Sequence, residues 1–262
     1  MRYWKILKII IRNAYIRDRK IPGVVTSKVF TSLLEVIITI TMFSAIFSNI
    51  ESLAGWNYYQ VIFLYLMMKN IALINGIIAR GGLTAMAKEY VRMGDYDFYL
   101  VKPVNTLALV SMSKPRFFNI IILFFTVALS IWVAMKTGID LGIANILSFI
   151  FMAIFSVILY YFLFVITIVP VFWLVRLFSL SDLMNRASQI MRYPAGIYSM
   201  FAKVIFFTAF PVLAVTYLPS WTLFYSVKAE YIVYMVVITF FFGWIATRLW
   251  RLGEKNYGSA SS

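Results

Sequence analysis

The 262-residue sequence contains no cysteine and no histidine. Without thiols there is neither a disulfide nor a cysteine nucleophile. Without imidazole there is no Ser-His-Asp triad, and the commonest transition-metal ligand is missing. Charge is scarce as well: 13% of residues are charged, and only 10 of these are acids against 24 bases. Acids so few and scattered do not form the paired carboxylates of a glycoside hydrolase. No G-x-x-x-x-G-K-[ST] run occurs, so the sequence holds no P-loop nucleotide site of its own. We expect no catalytic, cofactor-binding or metal-binding residues, and no enzyme.

What is present is apolar. Hydrophobic residues make up 63% of the chain, well above the half or so of an ordinary soluble domain. Runs of about 20 apolar residues recur, long enough to cross a hydrocarbon core of roughly 30 Å as helices. They are continuous rather than alternating, which selects helices over a closed barrel. The reading is an all-α membrane protein, a single unit over 1–262. Six spans are expected, about Val29 to Phe47, Tyr58 to Ile78, Phe117 to Met135, Ile146 to Val175, Ile197 to Tyr217 and Tyr231 to Trp250. Pro170 is expected to kink the fourth span or mark its exit, and Pro211 falls inside the fifth. Ahead of them, Arg2, Lys5, Lys8 and Arg12 take one side of a helical wheel and Trp4, Leu7, Ile11 and Tyr15 the other. That pattern predicts an amphipathic helix in the headgroup plane within 1–27, broken at Ile21-Pro22-Gly23.

The net charge of +14 would point to nucleic acid in a soluble protein. Here it tracks topology, so we expect a lipid bilayer and no nucleic acid. Bases crowd the N-terminal segment, the 79–116 connection and the tail over 251–262. The fourth-to-fifth connection adds Arg176, Arg186, Arg192 and Lys203. The loops of the other face hold only Lys136 and Lys228. The positive-inside bias therefore puts both termini in the cytoplasm. On that other face, Thr208 to Tyr231 carries two prolines and reads as a short re-entrant element or a plain loop. Gly81-Gly82, near a span end, reads as a flexible turn.

Three polar residues fall inside expected spans: Glu35, Lys69 and Asn70. At about 1.5 Å per residue, Glu35 and Lys69 reach a similar depth. Charges there pair or face a wet cavity, so the two are expected to meet. The pair either fixes helix packing or lines a transport route.

The stretch Lys88 to Val104 is the most particular in the chain. Asp95 reads as a helix N-cap, Tyr96, Phe98, Tyr99 and Leu100 as an interface surface, and Pro103 as a helix stop. With Asn105 following, the run D-F-Y-L-V-K-P resembles the loop after the second span in ABC-2-type ABC transporter permeases. Arg192-Tyr193-Pro194, the outer run from Pro211 to Pro219, and the whole six-span layout also fit a bacterial subfamily of such permeases. The resemblance implies the transmembrane subunit of an ATP-driven exporter in the plasma membrane. It implies two permease subunits, identical or related, each docked on a cytoplasmic ATPase that holds ATP and Mg. The coupling helix would lie within Glu89 to Val101. Its contact residues would be Glu89, Gly94, Asp95, Tyr96, Asp97, Phe98, Leu100 and Pro103. Asp97 stands where the usual family pattern G-T-L-E has Glu, and Asp95 stands at its Thr. The competing reading is a secondary transporter or channel that uses Glu35 or Lys69 as its ion group and needs no ATPase. A membrane scaffold is a third.

Overall fold

A computed structural model describes residues 10–12, 16, 22–139, 142–174 and 180–258. Most of the expected interfacial helix, at 1–9, 13–15 and 17–21, lies outside the described residues, as do Arg176 and the last residues of the tail. Among the described residues the chain is helical and has no strand. Five helices are long and apolar enough to cross a membrane, and a sixth span results if one sharply bent pair counts as one.

Helix α1, Pro22–Phe47, starts seven residues before the expected first span. Proline suits a helix start, because its fixed φ is already helical and its missing N–H has no partner to lose. Asn57 then opens α2 with a capping box: its side chain accepts from the Gln60 N–H while Gln60 accepts from the Asn57 N–H.

Helix α2, Tyr58–Met93, is 36 residues long. The expected exit at Ile78 is not an exit. The helix continues through two π turns, Gly76–Arg80 and Met86–Tyr90, to Met93. Gly81-Gly82 is accordingly not a flexible turn. Added Cβ atoms would lie 1.9 Å from the Lys114 carbonyl oxygen and 1.8 Å from that of Val110. The glycines let the returning chain press against the helix.

That returning chain carries two short helices, α3 (Asp97–Leu100) and α4 (Thr106–Ser111). The latter is capped by Asn105, which accepts from the Ala108 N–H. Helix α5, Asn119–Lys136, runs back along α2. Helix α6, Ile143–Ile168, ends in a 3-10 turn at Val169–Phe172, so Pro170 marks its exit. Helix α10, Ala229–Asn256, packs on α6. Gly243 and Gly253 allow this approach; Cβ atoms there would meet Phe162 at 2.8 Å and Phe172 at 2.2 Å.

The expected fifth span is not one rod. Helix α7, Leu180–Ile190, is followed by a coil through Pro194, then α8, Met200–Ala209, and α9, Val212–Phe224. The bend between α8 and α9 is 97° and falls at Phe210-Pro211. A residue before proline is pushed out of the helical region, and Phe210 sits at φ −142°, ψ 82°. Helix α9 is buried on nearly all sides, packed on α6 and α2.

The long helices sort into a covered centre and an apolar shell. Most of α2 is buried. By contrast α10 exposes Val233, Val237, Phe240 and Trp244 at helical spacing, and α5 exposes Phe124, Phe125 and Ile131. Such a stripe suits hydrocarbon. Aromatic clusters close both ends. Trp56 meets Tyr217, Trp221, Phe224 and Tyr225 at one end; Tyr96 meets Phe172, Trp250 and Tyr257 at the other.

Candidate coupling surface and intramembrane ion cluster

At about 1.5 Å per residue, a 36-residue helix is about 54 Å long, well over a hydrocarbon core of roughly 30 Å. The last turns of α2 therefore stand clear of the core and carry whatever follows them. Gly94 ends the helix at φ +80°, a left-handed conformation that favours glycine. The turn closes with the Tyr96 N–H donating to the Tyr90 carbonyl at 3.1 Å, and α3 starts at Asp97.

The residues of this turn divide into two sets. Tyr96 is fully buried, whereas Phe98 is 67% and Val101 79% exposed. Met93, Leu100 and Pro103 are exposed beside them. The sequence reading placed Tyr96 in the docking surface, and the fold turns it inward. Its hydroxyl donates to Glu254 Oε1 at 2.7 Å, and Trp250 Nε1 donates to the same oxygen at 2.9 Å. Thr106 Oγ1 donates to it too. One carboxylate from the end of α10 thus holds the α3 turn and the start of α4. Burial, then the neighbouring carboxylate, pushes the Tyr96 hydroxyl far above its ordinary range. Burial and then Asp97 and Asp95 push Tyr257 up to about 12.

Asp95 is not the N-cap. Tyr96 occupies that position with no side-chain cap, because the turn that follows Gly94 brings Asp97 directly into the first turn. Glu89 lies on α2 itself and pairs with Lys114 at 2.8 Å, tying α2 to the return chain. Tyr99 is half-buried and packs on Tyr90 at 5.0 Å. The exposed apolar surface is thus Phe98, Leu100 and Val101 with Met93. Met93 was missed because it precedes the glycine; it is the last residue of α2 and is exposed just before the turn.

The second site lies inside the bundle. Lys69 Nζ sits 2.6 Å from Glu35 Oε2, so the two expected partners do meet. Arg192 joins them, with Nη2 3.2 Å from Glu35 Oε1 and its guanidinium over the Tyr65 ring at 5.5 Å. The sequence reading had put Arg192 in a loop outside the membrane. The coil after α7 carries it to the depth of Lys69, about 17 Å along α2 from Tyr58. Asn70 does not enter this cluster; its Nδ2 donates to Ser130 Oγ at 2.9 Å and links α2 to α5. Lys203 also leaves its expected face. It lines a cavity with Glu230 and Tyr231, at the start of α10 and so towards the Trp56 end.

A family model described as ABC-2 family transporter protein matches residues 33–261. No curated protein matches the chain.

Proposed function

The chain belongs to the ABC-2 transporter family, and from that premise we propose that it is the membrane subunit of an ATP-driven exporter, moved by a separate cytoplasmic ATPase. The observation that carries this reading is the division of the α3 turn. Phe98, Val101, Leu100 and Met93 are offered to a partner while Tyr96 and Glu254 tie the same turn to the bundle. Exposed aromatic and aliphatic side chains on a firmly held turn are what an interface anchor needs. The turn sits at the end of a helix that overhangs the bilayer, so displacement at the surface is delivered to α2 through Gly94 and to α10 through Glu254.

In this reading ATP and Mg reside on the partner, since no P-loop occurs in this sequence. A second permease subunit, identical or related, completes the path. Both termini and the α3 turn face the cytoplasm of a bacterial cell, as the distribution of basic residues supports. A secondary transporter using Glu35 or Lys69 is the competing reading, and it leaves the exposed apolar surface of the α3 turn without a role.

The test is co-purification from the native membrane with the bound ATPase identified, followed by Phe98→Ala and Val101→Asp. Membrane insertion stays normal, and the ATPase is lost or hydrolyses ATP without export. Full coupled transport in both variants, or ATP-independent flux by the chain alone, overturns the reading.

A further inference from the structure

The ion cluster is unbalanced. Lys69 and Arg192 share the single carboxylate of Glu35, which leaves one positive charge uncompensated. Among the described residues no other acid pairs with either cation. The imbalance lies near the middle of the span, where an unpaired charge is most costly. Tyr65 offers Arg192 a ring face but no charge. The donors are not exhausted: an ammonium has three N–H groups and a guanidinium five. Nor is the cluster sealed. The Lys69 and Arg192 side chains are 10% and 18% exposed, but Glu35 is 44% exposed and opens the cluster along α1. A half-exposed carboxylate with two cations behind it is costly against bare hydrocarbon and calls for a polar neighbour.

The surroundings of the opening are apolar. At helical spacing from Glu35, Ile38 and Met42 are exposed on the same stripe of α1, and Leu34 and Ile37 flank it. Met42 lies about 10 Å beyond Glu35 along the helix. A ligand that satisfies both halves carries a negative group and an alkyl chain.

We propose that Glu35, Lys69 and Arg192 form a midplane binding site for the anionic headgroup, phosphate or carboxylate, of an amphiphilic cargo. The excess charge attracts the headgroup and the α1 stripe takes the chain. Glu35 holds the cations in place and also competes with the ligand for them, so headgroup entry displaces Glu35 from part of its bonding. The same charge rejects cationic amphiphiles. The site gives the proposed export a substrate class, but its binding requires no ATPase, so it stands or falls separately from the coupling reading.

The test uses the full chain purified in neutral detergent, titrated calorimetrically with dodecyl phosphate, inorganic phosphate and dodecyltrimethylammonium. Dodecyl phosphate binds saturably and the ammonium does not. Arg192→Gln weakens the binding roughly ten- to a hundredfold, the loss of a charge-assisted hydrogen bond. Glu35→Gln does the reverse and tightens it, because it frees a second cation. Lys136→Gln, at the far end of α5, leaves it unchanged. Opposite signs at Glu35 and Arg192 separate an anion site from a packing ion pair, in which both losses act alike. The proposal is overturned if Glu35→Gln weakens binding as Arg192→Gln does, or if the cationic amphiphile binds equally. Inorganic phosphate binding as tightly as dodecyl phosphate would overturn the amphiphile in favour of a small free anion.

Discussion

Single residues decide where this chain is tight and where it is offered. Gly82 is the tightest point, with the Val110 carbonyl where a Cβ would go. A backbone atom does not swing aside as a side chain does. Gly82→Ala is therefore expected to destabilise the protein by about 1–3 kcal/mol and to push α4 off α2. Thermal unfolding in detergent measures the loss. Tyr96 and Phe98 stand two apart and have opposite duties. Tyr96→Phe removes one of three donors to Glu254 and costs about 1–2 kcal/mol of stability. Phe98→Ala leaves the unfolding temperature unchanged, because the ring is exposed. The alternation of aromatic and acidic letters in Asp95 to Tyr99 gave no hint of this difference. It depends on Glu254, 158 residues away in sequence. The Glu35–Lys69 meeting was legible because both are rare charges at one depth. Arg192 was not, since it reads as one more loop base until the path of the coil after α7 is known.

Among the elements, those with continuous apolar runs were readable to within a few residues: α5 and α10 lie close to the expected third and sixth spans. The failures have physical causes. Hydropathy falls after Ile78, but α2 continues because its polar turns are covered by α4 and the return chain rather than by lipid. Pro211 was read as lying inside one fifth span, whereas the helix breaks there by 97°, an angle set by where α9 packs. The π turns of α2 make a further prediction. A π turn holds one residue more than an α turn, so deleting one residue there restores an ordinary helix and keeps both flanks in register. Deleting the exposed Ile78 is expected to leave a folded, membrane-inserted protein. Deleting Leu66, in the regular buried part, rotates everything beyond it by about 100° and abolishes folding. Yield and monodispersity in detergent distinguish the two.

For the whole molecule, topology is the property most directly testable. The positive-inside count included Arg192 and Lys203 among inward residues. The structure removes both, placing one in the bundle and the other near the Trp56 end. The bias survives, since the N-terminal segment, the 79–116 connection and the tail keep their bases. Single cysteines in this cysteine-free chain report it cleanly. Lys203→Cys is expected to react with an impermeant maleimide from the same side as Lys136→Cys, and Lys88→Cys from the opposite side. Labelling of 203 together with 88 would contradict the placement of α8.

The hydrogen bond from Tyr96 to Glu254 also has a consequence at the bench. The end of α10 holds Tyr96 on the inner side of the α3 turn, and the ring of Tyr257 lies 5.1 Å from that of Tyr96. An affinity tag or fluorescent protein fused directly after Gly258 would crowd the face proposed above for the ATPase. If the proposed ATPase docks there, preparations made that way yield the permease alone, an artefact of the handle. A long flexible spacer between the tail and the fusion removes the obstruction.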